Sequence, residues 1–518
     1  MEKKEGLMAL IKSLSKSEKR YFKLFISKNA IGESSHYLKL FDFIEKAGTT
    51  DKQALQKYYG NDDFIQKQYG IYKHLLYKQI LKSLRAYHSE KSVDARIMEL
   101  ISDTKILFDM VLYSDAGKML KKAKGIASKY EKNIQILEII YWEKKIILSS
   151  SMSENTNKKK LIQLFEEEKS IIKKIDNLNE YWKLKALSFL FYLENGALRR
   201  QEDIDMYNIF INAPILKNPE LALSYWAKIS YYGVLAQHSF AVNNIEESYV
   251  YSKKIVDLIE THPHQIEYDP MYYCSILYNL LLLLNALKKY DELFYRIPKL
   301  KFLFIKFQFH SPILLKTHVL EFGIYIAIGQ FKVAMQLLPE VEALLKEKTT
   351  KDEIQKLHFY FGTAQLYFGI RDYNKALVSL NIILNDNKNH FLPDIYSIAR
   401  ILYLIIHFEK ENTDFLPYLV KSIYRYLLQK KKLYKVENVL IQFLKRTNII
   451  RNTKDQIEAF KVLREELINV MDHDPMEARF LEAFDIISWL DSKIENRPFG
   501  DILREKSGYV LQEGGKLD

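Results

Sequence analysis

Few residues in this 518-residue chain are arranged for chemistry. The best-placed pair is His262 and His264, separated by one proline in "ETHPHQIEYDP", with Glu260 and Glu267 close by. Two imidazoles can begin a zinc site when further donors recur at diagnostic spacing. No such donor stands there, and the stretch reads as a solvated turn. Asp472, His473 and Asp474 form a second cluster. It precedes Pro475, so it reads as the cap of a helix opening at Met476. The single cysteine, Cys274, excludes an intramolecular disulfide and a cysteine zinc site. It lies in the apolar run "YYCSILYNL" and reads as a small buried hydrophobe. The chain contains no P-loop, dinucleotide glycine motif, HExxH or GxSxG. The expectation is therefore no catalytic residue, no metal, no cofactor, and a protein that is not an enzyme.

Charge offers a second kind of chemistry. The formal net charge is +12 and it is unevenly spread. Residues 1–90 hold 17 Lys and Arg against 10 Asp and Glu; residues 421–451 hold nine against Glu437 alone. Such islands attract polyanions or acidic partners over long range. The alternative is a generally basic, solvated surface. The candidate contacts are Lys67 and Lys73 in the first island and Lys421, Arg425, Lys432 and Lys435 in the second.

The elements that position these residues read as helices. Apolar residues make up 48% of the chain and charged residues 27%, enough for a core and against global disorder. Only 17 Gly and 11 Pro punctuate 518 residues, which favours long helices and short loops. Tyr and Phe are abundant together with Lys, Asn and Ile, a compositional bias that gives no reason to read them as ligand-stacking residues. The N-terminus lacks the unbroken apolar stretch of a signal peptide. The longest apolar run, "ILYNLLLLLNAL", is about half of what a bilayer needs and contains Asn279 and Asn285. A cytoplasmic protein with no membrane insertion is expected.

An internal repeat organises the middle of the chain. Tyr290, Phe331, Tyr373 and Phe415 are spaced 41, 42 and 42 residues apart. Leu293, Ala334, Ala376 and Tyr418 follow them by three. Leu284, Tyr325 and Tyr367 precede the first three aromatics by six; Ile297, Leu338 and Leu380 follow by seven, and Leu300, Val341 and Ile383 by ten. These offsets describe the apolar face of a helix entered through a tight turn from a preceding helix. In the fourth unit the same offsets fall on Glu409, Ser422 and Arg425, so either the register shifts or the array ends. Upstream, Tyr113, Ala116, Leu120 and Ala123, and then Ile245 and Ser248, repeat the turn-and-second-helix pattern. Long apolar-periodic segments with Trp142, Trp182 and Trp226 lie between them.

With Tyr360, Ala364, Tyr367, Tyr373 and Ala376 in place, followed by Leu380 and Ile383, the stretch resembles a tetratricopeptide repeat (TPR). The period exceeds the family's usual 34, and Lys388 stands where the family has its terminal proline. The likeness is close over 280–385 and looser elsewhere. It implies a right-handed α-solenoid of TPR-like hairpins whose first helices line a concave wall, on which Tyr360, Tyr367, Tyr325 and His318 would lie, placed for packing more than for display. The chain is also similar to a group of uncharacterised bacterial helical-repeat proteins, on "SKSEKRYFKLF" and "YRYLLQKKKLYKVE". That likeness implies no activity.

The ends differ from the array. Ser15 and Glu18 fit a capping box, and Thr50 and Gln53 fit another. A helix to Lys46, a Gly48 turn, a helix to Tyr59 closed by Gly60 and a basic helix over 63–88 give the outline of a helix-turn-helix reader, with Gln66, Lys67, Gln68, Lys73 and His74 as donors. Phe64, Ile71, Leu75, Ile80 and Leu84 are expected to pack, which makes an N-terminal capping bundle the competing reading. In the second island Tyr424, Tyr426 and Tyr434 interleave with the cations, a composition that suits single-stranded nucleic acid. The competing reading is two amphipathic helices with Leu427, Leu428, Val436, Val439, Leu440 and Leu444 in a core and Lys430–Lys432 over a helix end.

The expected organisation is all-α: a basic helical domain over 1–94, TPR-like repeats over 95–450, and over 451–518 a helical cap, anchored by Trp489, with a frayed tail. The expected function is protein or peptide binding by a scaffold or adaptor. The alternative is a transcription regulator with residues 35–88 on DNA and the repeats as sensor. RNA or single-strand binding by 421–446 is a third reading.

Overall fold

A computed structural model of the chain describes residues 5–29, 34–59, 63–89, 92–150, 154–195, 201–307, 312–346, 352–385, 393–412, 414–429, 433–446, 453–473 and 484–509. Among the described residues every regular element is a helix, and no strand occurs. They form two compact units, Met1–Leu184 with Pro214–Ser230, and Lys185–Ala213 with Tyr231–Asp518.

The first unit opens with a bundle of α1 (Glu5–Ser13), α2 (Lys16–Asn29), α3 (Ser34–Ala47), α4 (Lys52–Tyr59) and α5 (Asp63–Ser89). Helix α5 packs on α2, α3 and α4. Phe22, Ile26, Phe41, Ile44, Leu76 and Ile80 fill the core between them. The Ser15–Glu18 box forms with both arms: Ser15 N donates to Glu18 Oε2 at 2.8 Å and Glu18 N to Ser15 Oγ at 3.2 Å. The cap of α4 is Asp51 rather than Thr50, its Oδ2 accepting from Ala54 N at 3.1 Å. A carboxylate next to the helix start answers both the open N–H groups and the dipole, which a hydroxyl does only in part. Ile71 is exposed rather than packed. Tyr69, Tyr72, Leu76 and Ile80 define the buried face of α5, and Ile71 falls outside that stripe.

Then come α6 (Val93–Asp109), α7 (Tyr113–Lys129), α8 (Asn133–Ser149) and α9 (Glu154–Asn195), whose end belongs to the second unit. Helix α7 packs on both α6 and α8, with Ile97, Leu120, Ala123, Ile136 and Ile140 in the core. Tyr113 opens α7 and Ala116 is fully buried, as the repeat pattern predicts.

The second unit contains α10 (Gln201–Ile211), most of α11 (Tyr225–Ala241), α12 (Ile245–Glu260) and the short α13 (Pro263–Tyr268). Four hairpins follow: α14 (Pro270–Ala286) with α15 (Tyr290–Phe307), α16 (Pro312–Ala327) with α17 (Phe331–Lys346), α18 (Glu353–Gly369) with α19 (Tyr373–Leu384), and α20 (Pro393–Glu409) with α21 (Leu416–Gln429). Tyr290, Phe331 and Tyr373 are each the first residue of a second helix. Helix α14 touches α16, α16 touches α18, and α18 touches α20, while each second helix also packs on the next hairpin. Leu293, Ala334 and Ala376 are fully buried, because helices this close leave room only for compact side chains or for ones that fill the gap. The chain ends with α22 (Lys435–Arg446), α23 (Thr453–His473), α24 (Ile486–Ile494) and α25 (Phe499–Ser507).

One turn recurs between many of the helices. Val111, Glu131, Asn243, Lys288, Gly329, Arg371 and Glu411 each sit in the left-handed region between two helices, with φ from 50 to 72°. After each, the next N–H reaches back five residues to a carbonyl, as in Leu112 to Leu107 and Lys289 to Leu284, both 2.9 Å. This is the Schellman closure, which satisfies carbonyls that the helix end leaves open.

The fourth hairpin keeps the pattern with a shifted register. Its left-handed residue, Glu411, follows Arg371 by 40 residues. Leu416, Val420 and Ile423 are buried, two residues earlier than the offsets from Phe415 require, and Phe415 itself is exposed. Ser422 and Arg425 are polar because they face outward.

Candidate interaction surfaces

The sequence candidates for metal and nucleophile chemistry are used structurally. His262 is half-buried, with Nδ1 2.9 Å from the Leu258 carbonyl, so it closes the end of α12. Its ring meets that of His264 edge-on at 5.9 Å. Among the described residues no group of three or more His, Cys, Asp or Glu is placed to hold a metal ion. Cys274 is fully buried in α14, and burial pushes its thiol up to about 11, where it is not a nucleophile. His473 Nδ1 lies 2.8 Å from the Asn469 carbonyl at the end of α23. Asp474, Pro475 and Met476 lie outside the described residues.

The first basic island splits in two. Lys67 is on α5, but its side chain lies outside the described residues. Lys73 is half-buried, its ammonium 4.7 Å over the Tyr69 ring. The exposed cations of α5 lie further along, at Lys78, Lys82 and Arg85, with His74 one turn before them. Among the described residues three acids of the bundle are engaged elsewhere: Glu45 with Lys19 at 3.1 Å, Asp42 with Lys23 at 2.8 Å and Glu18 with His88 at 2.8 Å. Among the described residues Lys78, Lys82 and Arg85 pair with no carboxylate. Spacing at i, i+4 and i+7 puts them on one face, a stripe that exposed ion pairing does not neutralise.

The second island has few acids of its own. Lys421 and Arg425 are exposed on α21, and Lys435 is exposed at the start of α22. Lys432 lies outside the described residues. Glu437 is buried, so the exposed side chains of α21 and α22 include no carboxylate. The half-buried aromatics are already taken: Lys445 sits 4.8 Å over Tyr424 and the Arg400 guanidinium 3.6 Å over Tyr426. Leu427, Val436, Leu440 and Leu444 are buried as expected, while Leu428 is exposed because it falls one residue past the buried stripe.

The first-helix residues are mostly packing. Tyr325 stacks on Phe294 at 5.1 Å, and Tyr360 and Tyr367 are half-buried. His318 is buried beside Glu321, which pairs with Lys301 at 2.5 Å, and its Nδ1 is 3.6 Å from Glu340. Burial, with Lys301 adding, pulls the His318 imidazole down to about 4.

A surface that sequence reasoning missed runs over the turn ends of the four hairpins. Residues 484–509 lie across it, and from Trp489 onward they meet the hairpins in reverse order. Glu409 of the fourth hairpin accepts from Trp489 Nε1 at 2.7 Å, from Lys493 at 2.5 Å and from the Tyr373 hydroxyl at 3.1 Å. Phe484 and Phe499 meet Phe368 of the third hairpin edge-on at 5.3 and 5.7 Å. The Gly329 carbonyl of the second accepts from Arg504 Nη1 at 2.8 Å. Tyr509 stacks on Phe294 of the first at 4.9 Å. An open cleft of about 350 Å³ lies beside the segment, with Asn285, Tyr290, Gln365, Phe484, Asp485 and Lys506 in its wall. The only advance signal was a scarce residue, glycine, at both 329 and 500. No protein-family profile matches this chain, and no curated protein matches it significantly.

Proposed function

We propose that this protein is a non-catalytic scaffold or adaptor that binds a protein or peptide through a TPR-like, right-handed α-solenoid, in the cytoplasm. The observation that carries the reading is the run of four hairpins with first helix on first helix and one turn geometry. Such stacking builds extended surfaces from local contacts and asks for no catalytic group. No described helix is long and apolar enough to cross a membrane. The test is affinity capture of the tagged full chain from its own cells, with and without nuclease. A stoichiometric protein that survives nuclease supports the adaptor reading; recovery of nucleic acid alone overturns it.

A second reading has its own observation. The stripe of Lys78, Lys82 and Arg85, unpaired among the described residues, follows a helix, a Gly48 turn and a second helix, the outline of a DNA reader. In that reading the N-terminal bundle holds DNA and the hairpins act as the sensor. Charge reversal at Lys78, Lys82 and Arg85 then removes DNA binding and flattens its salt dependence. DNA affinity equal to that of the wild type would discard this second reading.

A further inference from the structure

The second basic island forms one surface in the fold, with a different aromatic from those that its sequence brings forward. Tyr418, Lys421, Arg425 and Leu428 follow one another at i, i+3, i+7 and i+10 on α21, and all are exposed, Tyr418 at 76%. That spacing keeps them on one side of the helix, over about 15 Å of its length. The other side carries Leu416, Val420, Ile423 and Leu427, which are buried. Helix α21 contains no carboxylate, and the one acid of α22, Glu437, is buried. Among the described residues neither Lys421 nor Arg425 pairs with a carboxylate.

Cations on a helix can serve the helix itself by facing its last carbonyls. Lys445 and Arg446 stand in the last turn of α22, where that role is open to them; Lys421 and Arg425 sit in the body of α21, where it is not. Exposed Asp414 stands before α21, at the end where the dipole favours a carboxylate. Lys445 reaches across to α21, its ammonium 4.8 Å over the Tyr424 ring, and so adds a third cation beside the stripe. Tyr424 and Tyr426 are half-buried and each already carries a cation on its ring. Tyr418 differs: among the described residues no ring, cation or hydrogen-bond partner meets it.

An open ring in line with bare cations discriminates among polyanions. Duplex DNA keeps its bases in the stack and offers a surface ring nothing to lie on. An acidic helical peptide needs an apolar groove for its anchors, and the other large apolar side chain of this stripe is Leu428 alone. A single strand offers both groups at once, phosphates for the cations and unstacked bases for the ring. We propose that the outer face of α21 is a binding site for single-stranded nucleic acid, with Tyr418 stacking on a base and Lys421, Arg425 and Lys445 holding the adjacent phosphates. This activity is separate from protein binding by the hairpins and from the stripe on α5.

The test is fluorescence anisotropy of the full chain with a labelled oligouridylate of about 12 nucleotides. Wild type is compared with Tyr418→Ala, with Lys421→Glu plus Arg425→Glu, and with Lys78→Glu plus Lys82→Glu plus Arg85→Glu. Every substituted residue is exposed, so all the proteins are expected to share one thermal midpoint. For wild type the slope of log K against log salt is expected near about −2, from three phosphate contacts at roughly 0.7 each. Tyr418→Ala is expected to weaken binding at least about fivefold with that slope unchanged, because stacking is not ionic. Reversal of Lys421 and Arg425 is expected to weaken it at least about tenfold and to flatten the slope by roughly 1 or more. The α5 variant is expected to bind as wild type does; loss of binding in that variant alone would place the site on the N-terminal bundle and overturn the assignment. Charge reversal that acts while Tyr418→Ala does not would leave a surface for any polyanion, and the proposal falls. Displacement of the probe by polyglutamate as readily as by unlabelled oligouridylate, or tighter binding of a duplex of equal length, overturns it too. If the double reversal fails to fold, Arg425→Ala together with Tyr418→Ala decides by the same two readouts. Partner capture from cells tests the adaptor reading separately: it can fail while this titration succeeds.

Discussion

Two turns 42 residues apart follow the same backbone path with different residues at the left-handed position. Gly329 has φ 72° and Arg371 has φ 65°. Gln330 N reaches Tyr325 O and Asp372 N reaches Tyr367 O, both at 2.8 Å. Backbone geometry alone therefore does not demand glycine at 329. An L-residue pays about 1 kcal/mol there, and Arg371, Lys288 and Glu411 all bear that cost. What separates the two turns is the neighbour. The Arg371 side chain is exposed, whereas Gly329 faces the backbone of Gly500. The same turn is thus a simple connector in one hairpin and a docking point in another.

The contrast is broken or sharpened most strongly by adding a side chain at both positions. Gly329→Leu is expected to lower the unfolding free energy by about 3 kcal/mol, from left-handed strain plus overpacking against α25. Arg371→Leu is expected to stay within about 0.5 kcal/mol of wild type, as for exposed substitutions in general. Urea midpoints measure both; equal losses would refute the distinction.

The hairpin that holds Gly329 is also proton-sensitive through His318. Its imidazole is held down to about 4 by burial first and Lys301 second. The unfolded chain takes up that proton near pH 6.5 and the fold does not. The contribution is therefore complete above about pH 6.5 and lost as pH falls toward 4, on the order of 3 kcal/mol in all. Glu321, held above the ordinary carboxylate range by burial, acts in the opposite direction, and Glu340 also faces the ring. The measurement is accordingly the difference between wild type and His318→Gln at pH 7.5 and pH 5. A difference that does not change with pH would show that the ring is already solvated in the fold.

Glu409 sharpens the docking side of the comparison. Glu409→Ala strands the Trp489 N–H, the Tyr373 hydroxyl and the Lys493 ammonium, at about 2–3 kcal/mol. Because Glu409 and Gly329 hold the same segment, the double variant with Gly329→Leu should cost clearly less than the two separately. Strict additivity in a double-mutant cycle would mean that the two anchors act independently. The smallest effect is a gain: Arg371→Gly relieves the left-handed strain and loses part of it to backbone entropy, for about 0.5 kcal/mol of stabilisation. A lower thermal midpoint for that variant would show that Arg371 does more than close the turn.

Much of the fold was legible because its signals are local. The aromatics at 290, 331 and 373 open second helices, and Ser15 with Glu18 closes its box, since caps and apolar stripes act over three or four residues. Local reasoning failed where two readings differ by one residue. Ile71 and Leu428 sit beside a buried stripe rather than in it. The fourth hairpin shifted by two because its left-handed residue comes 40 residues after that of the third, not 42, while the buried positions keep the same distance from it. The turns themselves carry no common residue: Val, Glu, Asn, Lys, Gly and Arg all serve. The candidate site was less legible. Charge counting found both islands, but Lys73 is turned onto Tyr69 while Lys78, Lys82 and Arg85 stay unpaired among the described residues.

The sequence by itself determined the helical class, the hairpin period and the starts of the second helices. These follow from apolar periodicity and cap chemistry within single turns of helix. Only the tertiary structure decided which of the described cations pair, which histidines are buried, and where residues 484–509 lie. Those outcomes depend on partners far apart in the chain. Arg504 and Gly329 are 175 residues apart, and no local pattern records that the carbonyl of one turn will accept from a side chain near the other end.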